Sequence, residues 1–176
     1  AYCSDAGLVP LRQALQHKIK TENNLTRSTV MVTQGANQAF VNIVFALCDP
    51  KDRVVLFPPY YFNHKMALQM TIAPENIVLG ERDDRMVPSL EWITRALQDD
   101  AVPTPKMIVI TNPDNPTGTV MGKEVRILLA QCFKTCALVG VPLASLTLFP
   151  VLCSMCPVPC ALLLFLTDIG TDITSV

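Results

Sequence analysis

The chain has 176 residues, of which 50% are hydrophobic and 16% are charged, and its formal net charge is −1. This length allows one domain or part of one. A net charge so close to zero excludes a global electrostatic field that would attract nucleic acid, so we expect no nucleic-acid partner.

Charged residues are concentrated in the first part of the chain. Residues 1–134 hold all Lys and Arg and all acidic residues except Asp168 and Asp172, and no charged side chain occurs from Thr135 to Thr167. We therefore predict two unlike parts, a domain over residues 1–134 and an apolar tail over 135–176 that is rich in Cys, Pro and Leu.

The chain start and the cysteines bear on its compartment. The sequence begins at Ala1 with no secretory leader, and an odd number of cysteines, 7, disfavours a fully paired secreted framework. Cys153 and Cys156 have C-x-x-C spacing, but neither a second pair nor a nearby His completes a metal site, so we predict none. We expect an internal fragment of a longer protein in the cytoplasm.

In chain order, the apolar pattern predicts alternating helices and strands. Apolar residues recur at helical spacing, and β-branched runs end at Gly or Pro. Ser89 is the expected N-cap of the last of these helices, with Trp92, Ile93 and Leu97 on its inner side. The alternation predicts an α/β domain with a largely parallel sheet. The predicted helices cover residues 8–19, 37–48, 61–70 and 89–97, and the predicted strands cover 29–33, 53–57, 76–79 and 106–110.

The first of three strand-to-helix loops covers residues 33–38. Gly35 and Ala36 keep this turn small, so backbone N–H groups at the helix start can approach an anion and Asn37 can add a hydrogen bond. The alternative is an ordinary tight turn in which Asn37 is the N-cap.

Two further loops follow strands. In residues 57–64, two prolines stiffen the strand exit and present aromatic rings that could stack on a flat heteroaromatic ligand or simply pack in the core. We expect His64 to be a structural or surface residue rather than a catalyst. In residues 111–118, two Asn-Pro pairs fix the backbone and hold the Asn side chains in place.

In order and spacing, these residues resemble the class I and II pyridoxal-phosphate-dependent aminotransferases, which are fold type I enzymes. The run VMVTQGANQAF is most similar to the aromatic or methionine-using aminotransferases of plants. The matching residues are Tyr2 five before Gly7, then Leu11-Arg12, Gly35-Ala36-Asn37, Pro59-Tyr60-Tyr61 and Asn115-Pro116-Thr117-Gly118.

The resemblance implies part of a three-layer α/β/α large domain that binds pyridoxal 5'-phosphate (PLP). It implies transfer of an amino group from an amino acid to a 2-oxo acid. By this resemblance Ala36 and Asn37 hold the cofactor phosphate at a helix N-terminus, Tyr61 stacks on the pyridine ring and Asn115 hydrogen-bonds the 3' oxygen. Tyr2 matches the tyrosine that reaches the phosphate in the neighbouring subunit, which implies a homodimer.

The sequence departs from the family pattern after Gly118, although residues 140–145 still resemble the start of the family's next strand. Leu146 and Phe149 stand where the family has the Asp and Tyr of its S-D-x-x-Y motif. No Lys follows Lys134 and no Arg follows Arg126, so the Schiff-base lysine and the carboxylate clamp are absent. We therefore predict a truncated aminotransferase-family protein with no catalytic residue of its own that is inactive alone. The alternatives are a non-catalytic fragment that binds or regulates a full-length subunit, and a poorly folded product.

The tail has three interpretations. Residues 135–167 are long enough for a membrane span, but prolines at positions 142, 150, 157 and 159 interrupt the apolar runs. We favour an altered end from a frameshift, a retained intron or a wrong gene model. One alternative is a hydrophobic anchor, which would be the only route by which this chain reaches a membrane. The other is a divergent core.

Overall fold

The computed structural model describes residues 4–23, 26, 29–122, 125, 128–129, 148–152 and 161–166. Helices and strands alternate through most of this range, with a short 3-10 turn at Pro74–Asn76. The elements in chain order are α1 (Val9–Asn23), α2 (Gly35–Leu47), β1 (Val54–Leu56), α3 (Phe62–Gln69), β2 (Ile77–Leu79), α4 (Leu90–Gln98), β3 (Met107–Asn112), β4 (Leu148–Leu152) and β5 (Ala161–Leu166).

The strands form one sheet in the order β2-β1-β3-β5-β4. β1 pairs in parallel with β2 and with β3, so that Val54 aligns with Ile77 on one side and with Met107 on the other. β5 runs antiparallel to β3 and to β4. The predicted parallel arrangement is therefore confirmed for β1, β2 and β3, while the two antiparallel strands of the tail were not predicted. The domain boundary at residue 134 stays a prediction.

Alternate residues of the central strands supply two separate cores. Val54 and Leu56 of β1 face α2 and α3, where they pack with Phe40, Val44 and Leu68. Because successive side chains of a strand point to opposite faces, the residues between them face the other side of the sheet. There Val55 and Phe57, with Ile108 and Ile110 of β3, pack against Ile93 and Leu97 of α4. Helices thus cover both faces of the sheet, which confirms the predicted three-layer α/β/α domain.

Helix α2 runs against the direction of the strands. Phe40, near the middle of α2, packs on His64 in the first turn of α3, with 4.6 Å between ring centroids. At the C-terminal end of α2, burial and the nearby Asp52 carboxylate raise the pKa of the Cys48 thiol to about 12, with Lys106 opposing them. Asp52 and Lys106 precede β1 and β3, whereas α3 follows β1. The N-terminus of α2 therefore lies at the carboxyl edge of the parallel strands, where α/β proteins bind ligands.

The strand predicted over residues 29–33 is wrong, because this segment joins no ladder. The Val32 N–H donates to the Ala6 carbonyl at 3.0 Å, and the Val30 carbonyl accepts from Arg12 Nε at 2.8 Å. A Cβ added to Gly7, whose φ is +101°, would lie 2.7 Å from Val32 Cβ. The segment is thus fixed to the chain start, and Gly7 is required there by both space and backbone conformation.

The four predicted helices and the other three predicted strands are present. The Trp92 N–H donates to Ser89 Oγ at 3.2 Å, which confirms Ser89 as the N-cap of α4. Ile93 and Leu97 are buried and Trp92 packs against the same core.

The tail is described only as strands β4 and β5. Among the described residues, no helix has both the length and the apolar character needed to cross a bilayer. Residues 140–145 and Leu146 lie outside the described part, and Phe149 falls in β4. The origin of the tail stays a prediction.

Candidate functional site

A small recess opens at the carboxyl edge of β1 and β3. Hydrophobic side chains of both central strands form its floor, and polar and aromatic groups surround them. The lining residues are Leu56, Phe57, Tyr60, Tyr61, His64, Arg82, Pro88, Val109, Ile110, Thr111 and Asp114. Two of the three predicted functional loops thus contribute to one site.

Tyr61 is held at the rim of this recess as the residue that precedes α3. The two prolines before Tyr60 carry the chain from β1 into this position. The Tyr61 ring meets the His64 ring edge-on at 5.4 Å and the Phe62 ring at 5.1 Å, and its hydroxyl accepts a hydrogen bond from Asn63 Nδ2 at 2.7 Å. These contacts fix a half-buried aromatic surface at the predicted stacking position.

His64 is a buried, neutral support for Tyr61. It packs between the rings of Phe40 and Tyr61. Burial lowers the pKa of His64 from 6.5 to about 4, although the Asp114 carboxylate favours the charged form. Of the two positions predicted for His64, in the structure or at the surface, its burial shows the first.

The loop after β3 is ordered by its own hydroxyl and amide groups. Asn112 Oδ1 accepts from the Met121 N–H at 2.8 Å, which ties the end of β3 to the chain beyond the loop. The Asn115 N–H donates to Thr111 Oγ1 at 3.3 Å, and Asn115 itself is exposed. The first Asn of the two Asn-Pro pairs is therefore structural, while the second is accessible to a ligand.

The start of α2 is open toward solvent. The helix begins at Gly35, with φ of +80°, and Gln34 stands at the N-cap without a side-chain cap. Asn37 lies inside the first turn, so its interpretation as the N-cap is wrong. The turn into the helix lies at Gly35, which has a positive φ, two residues before Asn37. Ala36 is half-buried and Asn37 is exposed, which leaves this helix start free to take an anion.

A buried ion pair at the recess was not found by sequence reasoning. Arg82 Nη2 lies 2.9 Å from Asp114 Oδ1, and the two side chains are 7% and 6% exposed. The only signal was the position of Asp114 between the two Asn-Pro pairs. Nothing in the local pattern around Arg82 indicates a partner 32 residues away.

The predicted site residues are only partly assembled at the recess. Tyr61 lines it, whereas Ala36, Asn37 and Asn115 do not. Helix α2 is linked to Tyr61 through Phe40, near its middle, and His64. Tyr2, predicted to reach a partner subunit, lies outside the described residues.

Comparison with known proteins decides the family. The family profile described as "Aminotransferase class I and II" matches residues 1–139. The chain belongs to the class I and II aminotransferases. Enzymes of this family are PLP-dependent.

Among curated relatives, an aromatic aminotransferase of Arabidopsis thaliana, ISS1, is 49% identical over 135 residues, which are 76% of this chain and 34% of the relative. An aspartate/prephenate aminotransferase of Thermus thermophilus is 34% identical over 132 residues, 74% of this chain and 33% of the relative. This chain therefore spans about one third of the length of the curated relatives that it matches.

Solved structures agree on the fold. A double mutant of the Thermus thermophilus aspartate aminotransferase superposes with a TM-score of 0.64 at 33% identity, covering 75% of this chain and 34% of that one. An aminotransferase from Escherichia coli gives a TM-score of 0.67 at 24% identity, covering 77% and 33%. The second comparison shows the fold alone. Together they place this chain in PLP fold type I.

The described residues fit the phosphate and one face of the cofactor ring. The start of α2 has no side-chain cap and carries the exposed Asn37, as a phosphate site at a helix N-terminus requires. Tyr61 offers an aromatic face, and Asn115 offers an exposed side-chain amide on the loop after β3. These groups can bind and orient PLP.

Proposed function

We propose that this chain forms the phosphate- and ring-binding part of a PLP site in an aminotransferase large domain. The observation that carries the proposal is the direction of α2. Its uncapped start opens at the same sheet edge as the recess with Tyr61 and the loop with Asn115. Helix N-termini attract phosphate, and this edge is where α/β folds place their ligands.

Each residue has a distinct task in this proposal. The Ala36 N–H and the Asn37 side chain bind the phosphate, Tyr61 stacks on the ring, and Asn115 donates to the 3' oxygen. When bound, PLP supplies the electron-accepting ring through which this family moves an amino group between an amino acid and a 2-oxo acid. The chain's own residues bind and orient the ring and shield one of its faces.

Binding of PLP by the purified chain tests this role. We expect weak, saturable binding in equilibrium dialysis. The affinity should fall about fivefold in Tyr61→Leu, since one stacked ring contributes about 1 kcal/mol. Phe62→Leu is the matched control, because Phe62 contacts Tyr61 but does not line the recess. Equal affinities for Tyr61→Leu and the unmodified chain would count against the proposal.

Catalysis by this chain alone is not expected. No Lys follows Lys134, and the family lysine belongs to the part of its relatives that this chain does not match. We expect no transamination when the chain is supplied with PLP, an aromatic amino acid and a 2-oxo acid. Robust turnover would refute the view that the missing lysine is decisive. An aromatic substrate for the intact enzyme is proposed from the similarity to the Arabidopsis relative.

A second candidate function is docking onto a full-length aminotransferase subunit, with Tyr2 offered to the phosphate site of that subunit. It is favoured by Phe62, Met66 and Met70, which are spaced by four residues along and just beyond α3 and are each more than half exposed. Such a stripe suits a partner surface. Co-purification with a full-length homologue tests it, and so does its loss in a Met66→Asp variant.

The same surface is available for the homodimer that the family resemblance implies, and sedimentation of the purified chain tests for self-association. We also propose a cytoplasmic location, supported by the buried free thiol of Cys48. Imaging of a fluorescently tagged chain tests that location.

A further inference from the structure

The Arg82–Asp114 ion pair lies between the loop that carries Tyr61 and the loop that carries Asn115. It is among the most buried polar contacts at the recess, with side chains 7% and 6% exposed. A buried pair of this kind contributes little net stability unless its remaining hydrogen bonds are satisfied. The other hydrogen bonds of Arg82 and Asp114 show which parts of the chain the ion pair connects.

Arg82 binds the exit of β1. Its Nη2 donates to the Phe57 carbonyl at 2.9 Å and to the Pro59 carbonyl at 3.1 Å, in addition to Asp114. Its Nη1 donates to the Met86 carbonyl. The guanidinium therefore fixes the segment that leads directly into Tyr61.

Asp114 organises the loop after β3. Its Oδ1 accepts from Thr111 Oγ1 at 2.9 Å, and its Oδ2 accepts from Thr117 Oγ1 at 2.7 Å. Its carbonyl accepts from the Gly118 N–H at 2.8 Å. Asn115 lies inside this closed loop, so its position depends on the carboxylate of its neighbour.

Arg82 is not placed to bind a ligand carboxylate. Both of its terminal nitrogens already donate to protein acceptors. The third guanidinium nitrogen, Nε, is enclosed by protein and has no partner. The guanidinium thus acts on other parts of the protein rather than on a bound molecule.

We propose that Arg82 and Asp114 are positioning residues that set the separation between the Tyr61 ring and the Asn115 amide. They match that separation to a flat, phosphorylated heteroaromatic ring. This inference rests on the proposed PLP site. The pair joins the two loops into one unit, so that both loops are released by the loss of either charge or of the donor geometry of Arg82.

Three variants and one control test the pair. Asp114→Asn keeps the shape of the side chain but removes its charge, and Arg82→Lys keeps the charge but loses the fork of donors. The double variant Arg82→Met with Asp114→Leu removes both buried charges, so that no unpaired charge is left in the core. It therefore serves as the test if either single variant fails to fold. Asp52→Asn is the control, because Asp52 pairs with Lys106 at 3.8 Å at the opposite edge of the strands.

Two measurements separate positioning from general stability. Hydrogen exchange should rise together in residues 57–61 and 111–118 in all three variants and stay unchanged there in Asp52→Asn. Equilibrium dialysis should show that the affinity for PLP falls about tenfold, which lies within the range of interaction energies between contacting groups. The affinity for inorganic phosphate should change less than about twofold. The phosphate probe reports on the start of α2, which the pair does not contact.

The outcomes are distinguishable. Faster exchange in only one of the two loops, or equal losses of PLP and phosphate affinity, would overturn the inference. If the unmodified chain binds PLP no more tightly than inorganic phosphate, the proposed function fails. In that case the exchange data still decide whether the pair couples the loops.

Discussion

Protonation of His64 should destabilise the fold as the pH falls. Burial lowers the pKa of His64 from 6.5 to about 4, so the unfolded chain takes up a proton before the folded chain does. The stabilising contribution is complete above pH 6.5 and is lost as the pH falls toward 4. From the two pKa values, the loss is about 2 kcal/mol at pH 5 and about 3 kcal/mol at pH 4.

Urea unfolding, followed by the fluorescence of Trp92, measures this loss between about pH 7.5 and about pH 4.5. His64→Phe keeps an aromatic ring between Phe40 and Tyr61 but removes the titrating group, so its stability should depend much less on pH. His17→Gln, at an exposed position on α1, should retain the full dependence. An unchanged pH slope in His64→Phe would refute this account of His64.

Two further predictions concern stability and use the same urea titration at neutral pH. Gly80→Ala should cost about 1–3 kcal/mol, because its new Cβ would overlap the Phe57 ring. Gly122→Ala, which meets nothing within 4 Å, is the control, and equal effects of the two would contradict the packing argument. Ser89→Ala should cost about 1 kcal/mol through loss of the cap on the Trp92 N–H. Ser89→Asp, whose carboxylate can cap the same N–H group, should retain most of the free energy of unfolding that Ser89→Ala loses.

The sequence was sufficient for elements whose pattern is local. Leu8, Leu11, Leu15 and Ile19 recur at helical spacing and lie in or next to α1, and the unbroken apolar run from residue 107 to 110 lies in the buried strand β3. The β-branched run at residues 29–33 has the composition of a strand. Its hydrogen bonds go to Ala6 and Arg12 instead, and such partners cannot be read from a local pattern.

In the candidate site, too, the residues in local motifs could be predicted and those with distant partners could not. The motifs around Asn37, Tyr61 and Asn115 were recognisable because a ligand-binding loop has its own turn chemistry. Arg82 was not recognisable, because its function depends on a partner 32 residues away and on carbonyls at the end of another strand. The antiparallel pairing of β5 with β3 was likewise invisible, since the apolar tail has no alternation that specifies a register.

The core beneath α4 has a practical consequence for anyone who shortens this chain. The last recognisable motif ends at Gly118, yet Met121 is only 3% exposed and Leu129 is fully buried against that core. A version that stops at the motif would remove both side chains and leave a cavity in that core, at a cost of several kcal/mol by the usual cavity term. An expression boundary chosen by motif alone would therefore damage the folding unit, and the earliest sound end point lies beyond residue 129.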